Sequence, residues 1–170
     1  VKGLLLRALS RFVSVMRSTS WKITYAMYRE QYELNKTFRF NGYYIQFYGP
    51  GRIEGGQNSY IGELSTIQSA SKCVVVIGAN CRISHNVRIY TSSAMADSDF
   101  SKPPVGTKQG DVKIGDFCWV GANVFINPDV TIGENSVVGA NSVVTKNIPP
   151  NEIWGGVPAK LIRRKACAAI

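Results

Sequence analysis

The chain contains one histidine, His85, in the run ISHNVRIYTSSAM. Imidazole is the side chain whose ordinary pKa lets it accept and return a proton near neutral pH, so general acid–base chemistry without a perturbed pKa has one address here. Carboxylates follow at Asp97 and Asp99 and are the next candidates for a base. The competing reading of His85 is an exposed turn residue without chemistry, the usual lot of a lone histidine. One histidine also excludes a multi-histidine zinc centre. Cys73, Cys81, Cys118 and Cys167 form no CxxC pair and no framework spacing. They read as reduced thiols of a cytoplasmic protein, packing as small apolar groups.

What must position these residues is a repeat of six. Ile114, Val120, Ile126, Ile132, Val138 and Val144 stand six apart, a period that neither a helix nor a strand produces. The residue after each is small or polar: Gly115, Gly121, Asn127, Gly133, Gly139 and Thr145. Such hexads predict a parallel β-helix in which each hexad is a short strand plus a turn and three close one triangular coil. The aliphatic residue points into the prism, and Gly or Asn tolerates the positive φ of a sharp corner. Upstream the register continues through Ile77, Ile83 and Ile89 and through Ile61 and Ile67, with Ile53 eight residues earlier. From Ile89 to Ile114 the step is 25 residues, not a multiple of six, so an excursion loop over residues 94–111 leaves the prism. Loops this long in a compact domain are mostly functional or disordered.

The expected architecture is an all-β main body with a helical N-terminal segment. Residues 1–52 form that segment and a capping strand, 53–148 the hexad β-helix with its loop, and 149–170 a C-terminal segment and tail. Leu5, Leu9, Phe12 and Met16 fall on one face of the predicted helix and Arg7, Arg11, Ser14 and Ser18 on the other. Arg7, Arg11 and Arg17 interrupt the apolar run, which argues against a membrane span and against a cleaved secretory signal. Two uses stay open for the helix: packing on the first coil or a neighbouring subunit, or lying on an anionic membrane surface. The run FRFNGYYIQFY, Phe38 to Tyr48, predicts strand that caps the open end of the prism. The net charge of +9 sits at the ends, with +7 in residues 1–52 and four cations at Lys160, Arg163, Arg164 and Lys165. The repeat body is close to neutral and carries no basic stripe interleaved with aromatics, so nucleic acid is not an expected partner.

The text VKIGDFCWVGANVFINPDVTIGENSVVGANSVVTKNIPPNEIWGGVPAKLIRR, residues 112–164, resembles the hexapeptide-repeat acyltransferases built on a left-handed β-helix. Within that family it is most similar to the O-acetyltransferases of sugars and cell-surface polysaccharides. The resemblance runs from Ile53 to Arg164, and IPPNEIWGGVPAKLIRR is its most specific part. It implies acetyl-CoA as co-substrate, no metal, and a homotrimer with each active site between two prisms. It also implies direct transfer to an acceptor hydroxyl, with a histidine as general base and an oxyanion held by backbone amides or polar groups. In the maltose and galactoside enzymes of the family the base opens the excursion loop, where this chain has Ala94 or Met95. His85, one hexad earlier, is then the candidate base.

By position in the matching motifs, Trp119, Ala122, Ala140, Thr145, Lys146, Lys160 and Arg163 are the implied coenzyme A contacts. Flat corners at Gly121, Ala122, Gly139 and Ala140 would let the pantetheine arm lie on the backbone, and the three cations would meet phosphate. The same small residues suit coil corners whether or not anything binds. Asn86, Tyr90, Asp97 and Asp99 are the candidate acceptor contacts, since aromatic and carboxylate groups suit a sugar; each is equally a turn or cap residue. The expected partners are acetyl-CoA and a sugar of a polysaccharide or its precursor, in the cytoplasm, with peripheral contact at the inner membrane surface through the basic helix as an option. Other readings stay open: transfer to an amino-sugar nitrogen or a xenobiotic, and a catalytically silent trimeric scaffold, which the missing loop histidine keeps in play.

Overall fold

The computed structural model describes residues 2–166, so Cys167 lies outside them. One unit carries the helix Lys2–Gln31 and a second begins at Glu33. The helix is rich in Leu, Ala, Met, Arg and Lys, all good helix formers. Among the described residues no helix is long and apolar enough to cross a membrane.

From Glu33 the chain winds as a parallel β-helix. Each coil can pair its backbone only with the coil before and the coil after, so strands meet their neighbours in register: Ile114 with Ile132 on the first face, Val120 with Val138 on the second, Ile126 with Val144 on the third. Among the described residues these faces hold sheets of five, seven and five strands. The inward side chains form continuous columns, such as Ile61, Ile83, Val120 and Val138 on the second face and Ile67, Ile89, Ile126 and Val144 on the third. Every one of these eight is buried, each such burial being worth about 1.5–3 kcal/mol. The columns are therefore the main stabilising element of the body.

Turns at the corners repeat a second device. The second turn residue takes a left-handed backbone, as at Asn86, Asn123 and Asn141 with φ of 54°, 59° and 59°, a conformation asparagine tolerates better than most. Their amides form a ladder: Asn86 Nδ2 donates to Asn123 Oδ1 at 2.8 Å, and Asn123 Nδ2 to Asn141 Oδ1 at 2.9 Å.

Three boundaries differ from the sequence expectation. The solenoid begins at Glu33 rather than at residue 53, because Leu34, Phe40 and Phe47 already pair with Gly55, Ile61 and Ile67. The aromatic run thus supplies strands Arg39–Asn41 and Gln46–Tyr48 of a first coil instead of a cap. Aromatic residues in place of aliphatic ones hide the hexad there. Gly55 takes the inward place because a Cβ on it would stand 2.7 Å from the buried Phe38 ring, and Ile53 moves to the neighbouring inward position opposite Val75. The excursion is a hairpin: Ser92–Ala94 pairs antiparallel with Thr107–Gln109, and Val112 rejoins the first face opposite Val75. At the C-terminal end Glu152–Gly155 extends the second face in parallel beside Val137–Val138, and Lys160–Arg164 folds back antiparallel on it. The buried Glu152 accepts from Trp154 Nε1 at 2.8 Å and pairs with Arg164 at 3.3 Å, which fixes that hairpin.

Ile126→Asp would bury an unpaired carboxylate in the third-face column and should cost more than about 3 kcal/mol; an unchanged denaturant midpoint would disprove the column assignment. Asn123→Ala removes both ladder bonds and places a Cβ residue without a compensating amide at φ 59°. It should lose about 1–2 kcal/mol, and Asn123→Gly should lose less; equal losses in paired urea titrations would mean that backbone conformation contributes nothing at this corner.

Candidate functional site

The corner between the second and third faces carries His85. There the N–H of Asn86 donates to Glu63 O at 2.8 Å, that of Asn123 to His85 O at 3.1 Å, and that of Asn141 to Ala122 O at 2.8 Å. This register sets Glu63, His85, Ala122 and Ala140 in one column along the edge, successive members about 4.8 Å apart. His85 is exposed. A Cβ on Gly62 would stand 2.6 Å from the His85 backbone nitrogen, so the coil beneath must be glycine at that point. Ala122 and Ala140 leave the edge beyond the imidazole clear of bulk. The structure therefore brings together the candidate base and two of the small residues singled out from the sequence.

The Asn86 amide is engaged at the corner. Its Nδ2 is committed to Asn123 and its Oδ1 accepts from Arg88 Nη2 at 3.1 Å, while the same guanidinium also donates to Thr66 Oγ1. Tyr90 lies on the outer third face, its ring stacked on Phe125 at 5.2 Å with planes 9° apart. Burial, and then the neighbouring Tyr90, push the Tyr48 phenol up. Asp97 and Asp99 are exposed on the excursion hairpin. Asp99 Oδ1 accepts from Ser101 Oγ at 2.6 Å and Ser101 N at 3.0 Å, and Lys102 Nζ lies 3.0 Å from its Oδ2. Those bonds, Ser101 first and Lys102 next, hold its carboxyl below the usual carboxylate value. A carboxylate held ionised is a weaker proton acceptor, which counts against Asp99 as a substitute base.

At the C-terminal end a cavity of about 350 Å³ brings Thr145, Lys146 and Lys160 together beside Trp154, Ala159 and Leu161. Arg163 is not part of it. It stands opposite Ile153 on the hairpin, exposed, with its Nη1 donating to Arg164 O at 3.3 Å. Trp119 is likewise separate from the Ala122 and Ala140 edge: it projects from the second face into a cleft of about 720 Å³ lined also by Tyr60, Arg82, Ser84, Phe117 and Lys165. Ser84, the residue before His85, is where this cleft meets the edge.

Tyr60, Arg82 and Phe117 line this cleft without being candidates from the sequence. A signal for the first two was available, since the residue before a buried aliphatic must point outward, and Tyr60, Arg82 and Trp119 precede Ile61, Ile83 and Val120. Among the described residues the cysteines sit inside the prism, not on the edge. Cys73, Cys81 and Cys118 are buried and unpaired by disulfide; Cys81 Sγ donates to Gly115 O at 3.0 Å and Cys118 Sγ to Gly133 O at 3.1 Å. Hydrogen bonding with Cys118, and then burial, push the Cys81 thiol far up. Among the described residues no group of three His, Cys, Asp or Glu side chains could hold a metal ion. The edge thus presents an exposed imidazole in line with the small side chains of Ala122 and Ala140.

Residues 111–146 match the family described as bacterial transferase hexapeptide (six repeats). The chain is 39% identical over 124 residues to the galactoside O-acetyltransferase of Escherichia coli strain K12, covering 70% of this chain and 57% of that protein. It is 36% identical over 132 residues to the polysialic acid O-acetyltransferase of Escherichia coli O1:K1, covering 71% and 43%. The chain thus spans about half the length of these curated relatives. Among solved structures, a hexapeptide-repeat acetyltransferase of Vibrio cholerae O1 biovar eltor, complexed with acetyl coenzyme A, superposes with a TM-score of 0.63 at 30% identity, over 82% of this chain and 75% of that one.

Proposed function

Because the chain belongs to the hexapeptide-repeat acetyltransferases and shares their left-handed β-helix, we propose that it moves an acetyl group from acetyl-CoA to a hydroxyl of a sugar in a cell-surface polysaccharide or its precursor, with His85 as general base. One observation carries this reading: the backbone register that puts His85 on the same edge as Ala122 and Ala140, one coil below the first and two below the second. The pantetheine arm then lies along the alanines, its thioester toward His85, and its phosphate end reaches Thr145, Lys146 and Lys160 in the basic cavity. The galactoside and polysialic acid acceptors of the two relatives support a sugar as acceptor.

A sugar hydroxyl is a weak nucleophile at neutral pH, so its proton must leave as its oxygen attacks. In this reading the His85 imidazole takes that proton while the oxygen bonds to the thioester carbon. The C–S bond then breaks, the acetyl ester stays on the sugar, and the imidazolium returns the proton to the coenzyme A thiolate. Backbone N–H groups of the neighbouring turns are the available donors for the oxyanion. His85 is exposed in a single copy of the chain, and a proton-transfer site works best when water is excluded. A homotrimer, with a neighbouring copy walling the edge, completes the reading; light scattering should give three times 18.7 kDa, and a fully active monomer would overturn that part.

His85→Ala should lower turnover by roughly 10² to 10⁴ while leaving acetyl-CoA affinity nearly intact. A variant with parental turnover would remove His85 as base. Lys146→Ala and Lys160→Ala should each weaken acetyl-CoA by about 1–2 kcal/mol, and Arg163→Ala, outside the cavity, should cost less; calorimetry that ranks Arg163 first would relocate the phosphate end.

A further inference from the structure

Beside the His85 edge, the second face departs from the chemistry of the rest of the repeat. Its outward positions run Arg39, Tyr60, Arg82, Trp119 and Val137 from coil to coil. The Arg39 guanidinium lies 6.0 Å from the Tyr60 ring centroid. Arg82 stands between Tyr60 and Trp119, and Trp119 is 53% exposed. Lys165 borders the same cleft, its Nζ 2.7 Å from Asn135 Oδ1. Among its described lining residues the cleft has two cations, Arg82 and Lys165, and no carboxylate.

Phe117 supplies a second, independent observation. At the corner between the first and second faces, the second turn residues stack as Asn58, Asn80, Phe117, Asn135 and Asn151, all with φ between 54° and 61°. Asparagines on either side join their amides, Asn58 with Asn80 at 3.4 Å and Asn135 with Asn151 at 2.8 Å. Phe117 breaks this ladder with a bulky residue in a backbone conformation that disfavours it, and the residue is 59% exposed, so burial does not offset the strain. Strain of this kind is retained where a site uses the side chain. The ring borders the cleft that holds Arg82 and Trp119.

A guanidinium between aromatic faces suits one ligand chemistry. The aromatic rings take the C–H face of a sugar, and the planar fork takes a carboxylate through two parallel bonds. We propose that this cleft binds the acceptor and selects an acidic saccharide: the ring lies on Trp119 and Phe117, the carboxylate pairs with Arg82, and the chain of sugars passes Ser84 to present a hydroxyl at His85. The inference rests on the transferase reading for the identity of the ligand as acceptor, whereas the cleft itself can be tested without turnover.

The probes are a sialic acid oligomer and a hexuronate oligomer, each compared with its own carboxyl-reduced form, titrated calorimetrically into the full chain. At least one acidic oligomer should bind ten times or more tighter than its reduced form, with affinity falling as salt rises. Arg82→Gln should bring that ratio close to one, while Lys113→Gln, the same charge change on the first face, should leave it within twofold. Phe117→Asn restores the residue of the other four coils, so it should raise Tm and weaken the saccharide together, a split that a purely structural role would not produce. Equal affinity for acidic and reduced forms, or an undiminished ratio in Arg82→Gln, would overturn the proposal. Acidic oligomers that bind as expected but accept no acetyl group would count against the transferase reading and leave the cleft standing.

Discussion

Every coil of this β-helix can satisfy its backbone N–H and C=O groups only by repeating the path of the coil before it. That demand fixes the spacing of about 4.8 Å between strands and the register of each face, and it converts a linear sequence into vertical columns. A side chain's neighbours are then set by backbone pairing, not by its own preferences. The buried aliphatic columns follow from it, and so do the asparagine ladders at the corners. The candidate site is a further product of the same rule. His85, Ala122 and Ala140 share an edge because Asn123 and Asn141 donate to the carbonyls of His85 and Ala122.

Such a scaffold separates stability from chemistry. Residues that face inward are buried, while those facing outward and at corners contribute little to the core and are free to carry function. Arg82 is exposed beside the buried Ile83, and His85 is exposed one residue before Asn86, whose amide is bound into the ladder. Where a corner residue deviates from the structural optimum, as Phe117 does, the loss is local. The coils above and below still pair through Ala79 and Asp116 backbone carbonyls.

The hexads at Ile114 to Val144 were legible from the sequence because aliphatic residues occupy each inward place and no insertion disturbs the count. The first coil was not legible, since Phe40 and Phe47 take places that are aliphatic in later coils and Gly55 is kept small by the Phe38 ring. The candidate base was legible from its rarity, and the small edge residues from their motif. Two kinds of information were missing. Asn86 and Asp99 fit either an acceptor contact or a turn in the sequence, and only three-dimensional pairing reveals their commitments to Asn123 and Ser101. The cleft on the second face joins residues from separate coils, Tyr60, Arg82 and Trp119, which are up to 59 positions apart in the chain and adjacent only through the stacking.

The hairpin between Ser92 and Gln109 leaves the prism at one corner, and the chain re-enters with Val112 opposite Val75. No inward column is shifted by the detour. The interruption of the hexad count is thus a splice made between coils, invisible to the core on either side. An appendage joined in this way can change length and composition by recombination without asking the scaffold to adapt, which makes this corner a graft point where a lineage could exchange whole surface modules while inheriting the same prism.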